Sequence, residues 1–170
     1  MTTPRASLVV ALLALVASAA PTPVDGTNSL IGQPAPPFSL PDSNGVTVLF
    51  KAGKGIPKSL FFIPNTDTDA SQREVESFSD ALRDGTFGSS VDVVGISAGS
   101  VAAETSAVEN LPFSILSDAG LQVHQAYEAN ADSRVTVFID SDGIIRDTFE
   151  SDDWNAHVQF VQEELNDLGM

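Results

Sequence analysis

The chain contains 170 residues, of which 42% are hydrophobic, and this is enough apolar material for one compact domain with its own core. Its formal net charge is −15 and its pI is about 4.1, so it would repel a phosphate backbone or an anionic membrane surface. The composition therefore argues against partners made of nucleic acid and against binding to a lipid surface.

The N-terminus has the layout of a secretory signal peptide. Arg5 precedes an apolar run over residues 8–16, and the small residues 17–20 lead directly into Pro21. A membrane anchor is the competing interpretation, but the apolar run is shorter than the ~20 residues that a spanning helix needs. The sequence thus predicts a leader over residues 1–20, a flexible Pro, Gly and Ser-rich arm over residues 21–30, a domain over residues 31–170, and secretion.

The chain has no cysteine, although secreted domains commonly carry disulfides. Thiol chemistry, zinc–thiolate sites and iron–sulfur clusters therefore have no ligands or nucleophiles in this sequence. We expect no cofactor, and we expect the core alone to stabilise the domain.

The first elements of the domain are predicted to be strands. Asn44-Gly45 is a strong turn pair before the β-prone residues 46–50. Residues 59–63 form a short continuous apolar run that Pro64 stops, which is typical of a strand buried on both faces.

A helix is predicted to begin directly after this strand. Asp69 is the expected N-cap, and Gln72 three residues later completes a capping-box pattern. Ser71 then lies in the first turn, and the apolar residues that follow recur at helical spacing: Val75, Phe78 and Leu82.

The next segments continue the alternation of strand and helix. Residues 91–97 are predicted to be a buried strand, residues 100–109 a weaker helix, residues 111–118 a connector, and residues 121–127 a short helix. This alternation favours an α/β protein with a parallel sheet.

The C-terminal segments are predicted to be a β-hairpin and a helix. Residues 135–139 and 144–149 flank Ser141-Asp142-Gly143, whose Asp-Gly pair suits a turn that needs positive φ. An amphipathic helix follows, with apolar residues three or four apart: Trp154, Val158, Val161, Leu165 and Leu168.

Several segments together resemble the peroxiredoxins, especially the bacterioferritin-comigratory or Q type. Residues 31–42 (IGQPAPPFSLPD) resemble the family's opening, residues 110–113 (NLPF) with 116–118 (LSD) its middle, and residues 134–140 (RVTVFID) with 142–143 (DG) its late hairpin. The resemblance implies a thioredoxin-like α/β fold with a central mixed β-sheet flanked by helices. It also implies the family activity, which is thiol-dependent reduction of hydroperoxides.

The family's active site consists of a Pro-x-x-x-Thr/Ser-x-x-Cys loop and an Arg from a later strand. Pro64, Thr68 and Arg134 match these positions, but Ser71 stands at the position of the peroxide-reducing cysteine. The position of the resolving cysteine, five residues further on, is Glu76. A hydroxyl keeps its proton at neutral pH, whereas a thiol near pKa ~8.5 becomes a soft thiolate at a helix N-terminus beside an Arg. The sequence therefore predicts a pseudoenzyme in which the peroxidase activity is lost.

Three alternatives stay open at this stage. The chain could be a one-cysteine peroxidase whose nucleophile has been replaced by Ser71. Alternatively, Thr68, Ser71 and Arg134 could bind a small peroxide or anion, since helix-start amides, hydroxyls and a guanidinium favour such ligands. In the third alternative Arg134 pairs with an acidic neighbour and the pocket is only structural. Many relatives pair as dimers, so both a monomer and a homodimer are compatible with the sequence.

The other combinations of polar residues give only weak support for a catalytic or metal-binding site. Ser71 with His124 or His157 and an aspartate has the residue types of a hydrolytic triad, but the chain lacks a Gly-x-Ser-x-Gly elbow. Two histidines without a recognised spacing do not predict a metal site. Asp140 and Asp142 faintly resemble a calcium loop, but the other ligand positions are wrong and the hairpin turn is preferred.

Overall fold

A computed structural model describes residues 29–53, 55–88, 90–100 and 110–170. The predicted leader, residues 21–28 of the predicted arm, and residues 101–109 of the predicted weaker helix lie outside these ranges. Secretion and the leader therefore stay predictions.

Seven strands and three helices make up the described part of the chain. In chain order they are β1 (Phe38–Pro41), β2 (Thr47–Phe50), β3 (Lys58–Ile63), α1 (Asp69–Arg83), β4 (Asp92–Ser97), β5 (Ser114–Ser117), α2 (Gln122–Ala126), β6 (Val135–Ile139), β7 (Ile145–Glu150) and α3 (Trp154–Asp167).

The central sheet has five strands in the order β5-β4-β3-β6-β7. β3, β4 and β5 run parallel, whereas β6 pairs antiparallel with β3 and with β7, so the sheet is mixed. β1 and β2 form a separate antiparallel hairpin. This architecture confirms the predicted thioredoxin-like fold.

Two strands, β1 and β5, were not predicted from the sequence, and the prediction for the segment that contains β5 was wrong. Residues 111–118 were expected to be a connector, but they contain β5, which pairs in parallel with β4 from Val94↔Ser114 to Ser97↔Ser117. β5 is a four-residue edge strand, and only Ile115 and Leu116 in it are apolar. Its local pattern is therefore too short to predict a strand, and its pairing with β4 decides the conformation.

The apolar side chains of β3 point alternately to the two faces of the sheet, and a hydrophobic cluster covers each face. Leu60 and Phe62 belong to one hydrophobic cluster, which also includes residues of the β1–β2 hairpin and of α2. Phe61 and Ile63 belong to a second cluster with residues of α1 and α3. No helix in the described ranges is long and apolar enough to cross a membrane.

Phe61 positions α1 on the sheet. Its ring stacks on Phe78 of α1 with a centroid distance of 4.5 Å, and Phe113 meets it edge-on at 5.5 Å. Gly95 lies directly beside Phe61 in the register of β3 and β4, and a Cβ added there would lie only 2.7 Å from the Phe61 ring.

We expect Gly95→Ala to destabilise the protein by about 1–3 kcal/mol, because the Phe61 ring has to move away from Phe78. Urea unfolding measures this cost, and Gly120→Ala, whose added Cβ would be no closer than 3.9 Å to any neighbour, is the matched control. Adding Phe61→Leu to Gly95→Ala should recover part of the steric cost. An equal loss in the two glycine variants would contradict the close approach seen here.

Candidate active site

The loop between β3 and α1 places the predicted residues at a helix start. Pro64 follows the last residue of β3, and Thr68 is the N-cap of α1, with extended backbone angles (φ −91°, ψ 143°). The predicted cap, Asp69, and its capping box with Gln72 were therefore wrong. Asp69 is instead the acidic residue of the first turn, where its charge suits the helix dipole.

Thr68 and Ser71 are in direct contact. The backbone N–H of Ser71 donates to Thr68 Oγ1 at 3.2 Å, and the Thr68 hydroxyl donates to Ser71 Oγ at 2.9 Å. Ser71 has no solvent-exposed area, whereas Thr68 is exposed. Ser71 Oγ, the oxygen at the expected nucleophile position, is therefore buried and already accepts a hydrogen bond from the N-cap residue Thr68.

Arg134 lies immediately before β6 and is held between two carboxyl groups. Its Nε is 3.3 Å from Glu74 Oε2, one turn beyond Ser71 on α1, and its Nη1 is 3.2 Å from Asp152 Oδ1. The Arg134 side chain is 14% exposed, Glu74 is fully buried, and Asp152 is fully in water. Arg134 therefore connects α1 to the segment that precedes α3.

Glu74 is the residue of this site that the sequence analysis missed. It lies three residues after Ser71 and four before Phe78, so it falls on the buried face of α1 together with them. Burial raises its pKa to about 8, although the neighbouring Arg134 acts to lower it. An acidic residue on the apolar face of the predicted helix is the sequence signal that could have indicated it.

Glu76, at the position expected for a resolving group, lies on the same helix but is exposed.

Neither histidine is hydrogen-bonded to Ser71 within the ranges that the structure describes. His157 contacts Thr136 Oγ1 at 2.8 Å and the Ser151 carbonyl at 3.0 Å, while His124 contacts Asp118 at 2.7 Å. The arrangement is therefore not a serine hydrolase triad.

The Asp140 carboxylate accepts hydrogen bonds from the backbone N–H groups of Asp142 and Ile144, and Gly143 has φ +85°. The segment is a hairpin turn, as preferred from the sequence. Within the described residues, no group of three or more His, Cys, Asp or Glu side chains could hold a metal ion.

The fold, and the loop that carries Pro64 and Thr68 to Ser71 at the start of α1, together define the class: a thioredoxin-like protein with a peroxiredoxin loop. Residues 31–148 match the AhpC/TSA family. The chain belongs to this family, as the sequence motifs predicted.

Known relatives lie in the Bcp and peroxiredoxin Q group. The chain is 32% identical over 144 residues to the Coxiella burnetii protein named as a peroxiredoxin, bcp, covering 77% of this chain and 95% of that protein. It is 29% identical over 154 residues to the chloroplastic peroxiredoxin Q of Oryza sativa subsp. japonica, covering 78% and 70%.

Solved structures support the same fold. Peroxidoxin BcpB from Mycobacterium tuberculosis matches with a TM-score of 0.69 and 24% identity over 81% of this chain and 96% of that chain. Peroxiredoxin Q of Xanthomonas campestris matches with a TM-score of 0.67 and 17% identity over 76% and 90%.

Proposed function

We propose that this protein is a secreted peroxiredoxin-family protein that does not reduce hydroperoxides and retains the fold as a non-catalytic binding scaffold. The observation that carries the proposal is the buried hydroxyl of Ser71, which is bonded to Thr68 in a chain that has no cysteine. Secretion is proposed from the N-terminal sequence pattern alone.

The chemistry of peroxide reduction explains why this hydroxyl matters. In the family's reaction a thiolate attacks one oxygen of the peroxide, becomes a sulfenic acid and releases an alcohol or water. A serine hydroxyl has a pKa several units above that of a thiol, and its attack would form an O–O bond in place of an S–O bond. Ser71 is therefore unsuited to the step that defines the family.

The environment of Arg134 also favours a structural role for the site. A guanidinium that stabilises a bound oxyanion needs hydrogen-bond donors facing the ligand. Arg134 Nη1 instead donates to Asp152, its buried Nε faces Glu74 at 3.3 Å, and only a small fraction of its side chain reaches solvent. These contacts support a site that ties secondary-structure elements together, and binding by the protein would then use its outer surface.

The direct test is hydroperoxide consumption by the purified protein with dithiothreitol or thioredoxin as reductant. We expect the protein to consume hydrogen peroxide no faster than its Arg134→Ala variant or buffer. The Arg134→Ala variant is the appropriate control because it removes the cation that any residual chemistry at Ser71 would use. Turnover by the unaltered protein clearly above that variant would overturn the proposal.

A further inference from the structure

Glu74 is a buried carboxyl group that no hydrogen bond fixes within the described part of the chain. Both of its side-chain oxygens are enclosed and without a hydrogen-bond partner there. Its charged and titratable neighbours come from two other segments: Arg134 Nε lies 3.3 Å from Oε2, and His157 Nδ1 of α3 lies 3.9 Å from Oε1. The carboxyl thus sits where α1, the start of β6 and α3 meet.

His157 contributes no positive charge to this cluster at neutral pH. Burial is the main reason why its pKa lies below the usual 6.5. Because the Ser151 carbonyl can only accept, Nε2 of the neutral ring carries the hydrogen, and Nδ1 accepts from the Thr136 hydroxyl. The lone pair of Nδ1 is therefore already used, and the ring cannot stabilise an ionised Glu74.

Arg134 favours ionisation of Glu74, but its effect on the pKa is smaller than the effect of burial. Arg134 shares its single charge with Asp152, and Asp153, the N-cap of α3, adds a further carboxylate near His157. An ionised Glu74 would be a second carboxylate beside one guanidinium, and Arg134 lowers the pKa of Glu74 by less than burial raises it. A buried carboxylate that lacks hydrogen bonds is costly, whereas the neutral acid loses much less hydration on burial.

We propose that the protonation state of Glu74 controls the packing of α1, α3 and the start of β6. These elements stay packed together while the carboxyl is neutral, and loss of its proton opens the contact between them locally. Opening lets the carboxylate reach water while the sheet stays intact. Ser71 is fully buried one turn before Glu74 on α1, so we infer that opening at Glu74 would also make the candidate site more accessible. This inference goes beyond the proposed function, because it holds whether or not the protein reduces peroxides.

The direction of the pH dependence follows from the pKa of Glu74, which burial raises from 4.5 to about 8. The folded state keeps a proton that the unfolded state has already released, so the contribution of Glu74 to stability is fully present below pH 4.5 and is lost as pH rises through about 8. The lowered pKa of His157 acts at the acid end, where stability falls as pH drops below 6.5. We assign the loss of stability between pH 6.5 and 9 to Glu74, and a Glu164→Gln variant separates it from Glu164, whose pKa burial also raises.

Trp154 is a built-in reporter of the contact between α1 and α3. It is the single tryptophan of the chain and the first residue of α3, and its ring lies 5.0 Å from Arg73 Cζ of α1. We expect its emission to shift to longer wavelength with a midpoint near pH 8, and the urea midpoint to be lower at pH 9 than at pH 6.5. Glu74→Gln has the shape of the neutral acid, so it should show neither change.

Glu164→Gln is the matched control. Glu164 is a partly buried carboxyl on α3 beside Arg146, and burial raises its pKa as well, so its variant should keep the transition of the unaltered protein. A transition that persists in Glu74→Gln, or that disappears in Glu164→Gln, would overturn the assignment. Carbon-13 NMR of the Glu74 carboxyl provides a second measurement on the unaltered protein, where titration near pH 4.5 would also overturn it.

Discussion

Restoring sulfur at position 71 should give the protein hydroperoxide turnover that it otherwise lacks. In Ser71→Cys the thiol would lie in the first turn of α1, where Ser71 now accepts a hydrogen bond from the Thr68 hydroxyl and its amide donates to Thr68 Oγ1. Both the hydrogen bond and the helix N-terminus favour a thiolate. Its attack on a peroxide would give a sulfenic acid and an alcohol or water, and two reductant thiols would regenerate the cysteine with release of water.

Ser77→Cys makes the same substitution on the same helix without these surroundings. Ser77 is half-buried, lies beyond the first turn, and bonds to the Arg73 carbonyl within α1. Ser71→Cys should exceed it by at least about tenfold in hydroperoxide consumption with dithiothreitol, because each unit of pKa depression raises the thiolate fraction at pH 7 nearly tenfold. Equal rates in the two variants would mean that the pocket around position 71 has lost more than its sulfur.

The order of elements could be predicted because most of them carry strong local patterns. β3 contains five consecutive buried residues before Pro64, and α1 repeats apolar residues at helical spacing through Phe78. β5 could not be predicted in this way, because its pairing with β4 depends on residues about 20 positions away. β1 ends at Pro41 and gave no clear strand pattern either.

The candidate site also has a part that could be predicted from the sequence and a part that could not. The resemblance to the family motif identified Pro64 and Thr68, and the local helix pattern placed Ser71 in a first turn. The partners of Arg134 could not be read from the sequence, because Glu74 and Asp152 come from segments far apart in the chain. The cap was assigned to Asp69 for a related reason: Thr68 and Asp69 both have cap-forming side chains, and only the backbone angles distinguish them.

The start of α2 shows how a second buried pair stabilises the edge of the sheet opposite β7. The helix begins after Leu121, which adopts a left-handed φ of +56° and has no side-chain oxygen to cap the first turn. Asp118, just past the end of β5, takes over the role of the cap. Its Oδ1 accepts from the Gln122 amide at 3.0 Å, and its Oδ2 accepts from the amide and the Nδ1–H of His124, both at 2.7 Å.

We therefore expect Asp118→Ala to destabilise the protein by about 3 kcal/mol or more, because it leaves three donors without an acceptor in a buried site. Asp118 and His124 are only 2% and 1% exposed, so water cannot replace the lost carboxylate without a rearrangement of α2. Asp142→Ala removes the same charge from an exposed turn and controls for the lower net charge. Urea unfolding followed by Trp154 emission measures both variants, and an Asp118→Ala cost no larger than that of Asp142→Ala would show that the pair does not hold α2 in place.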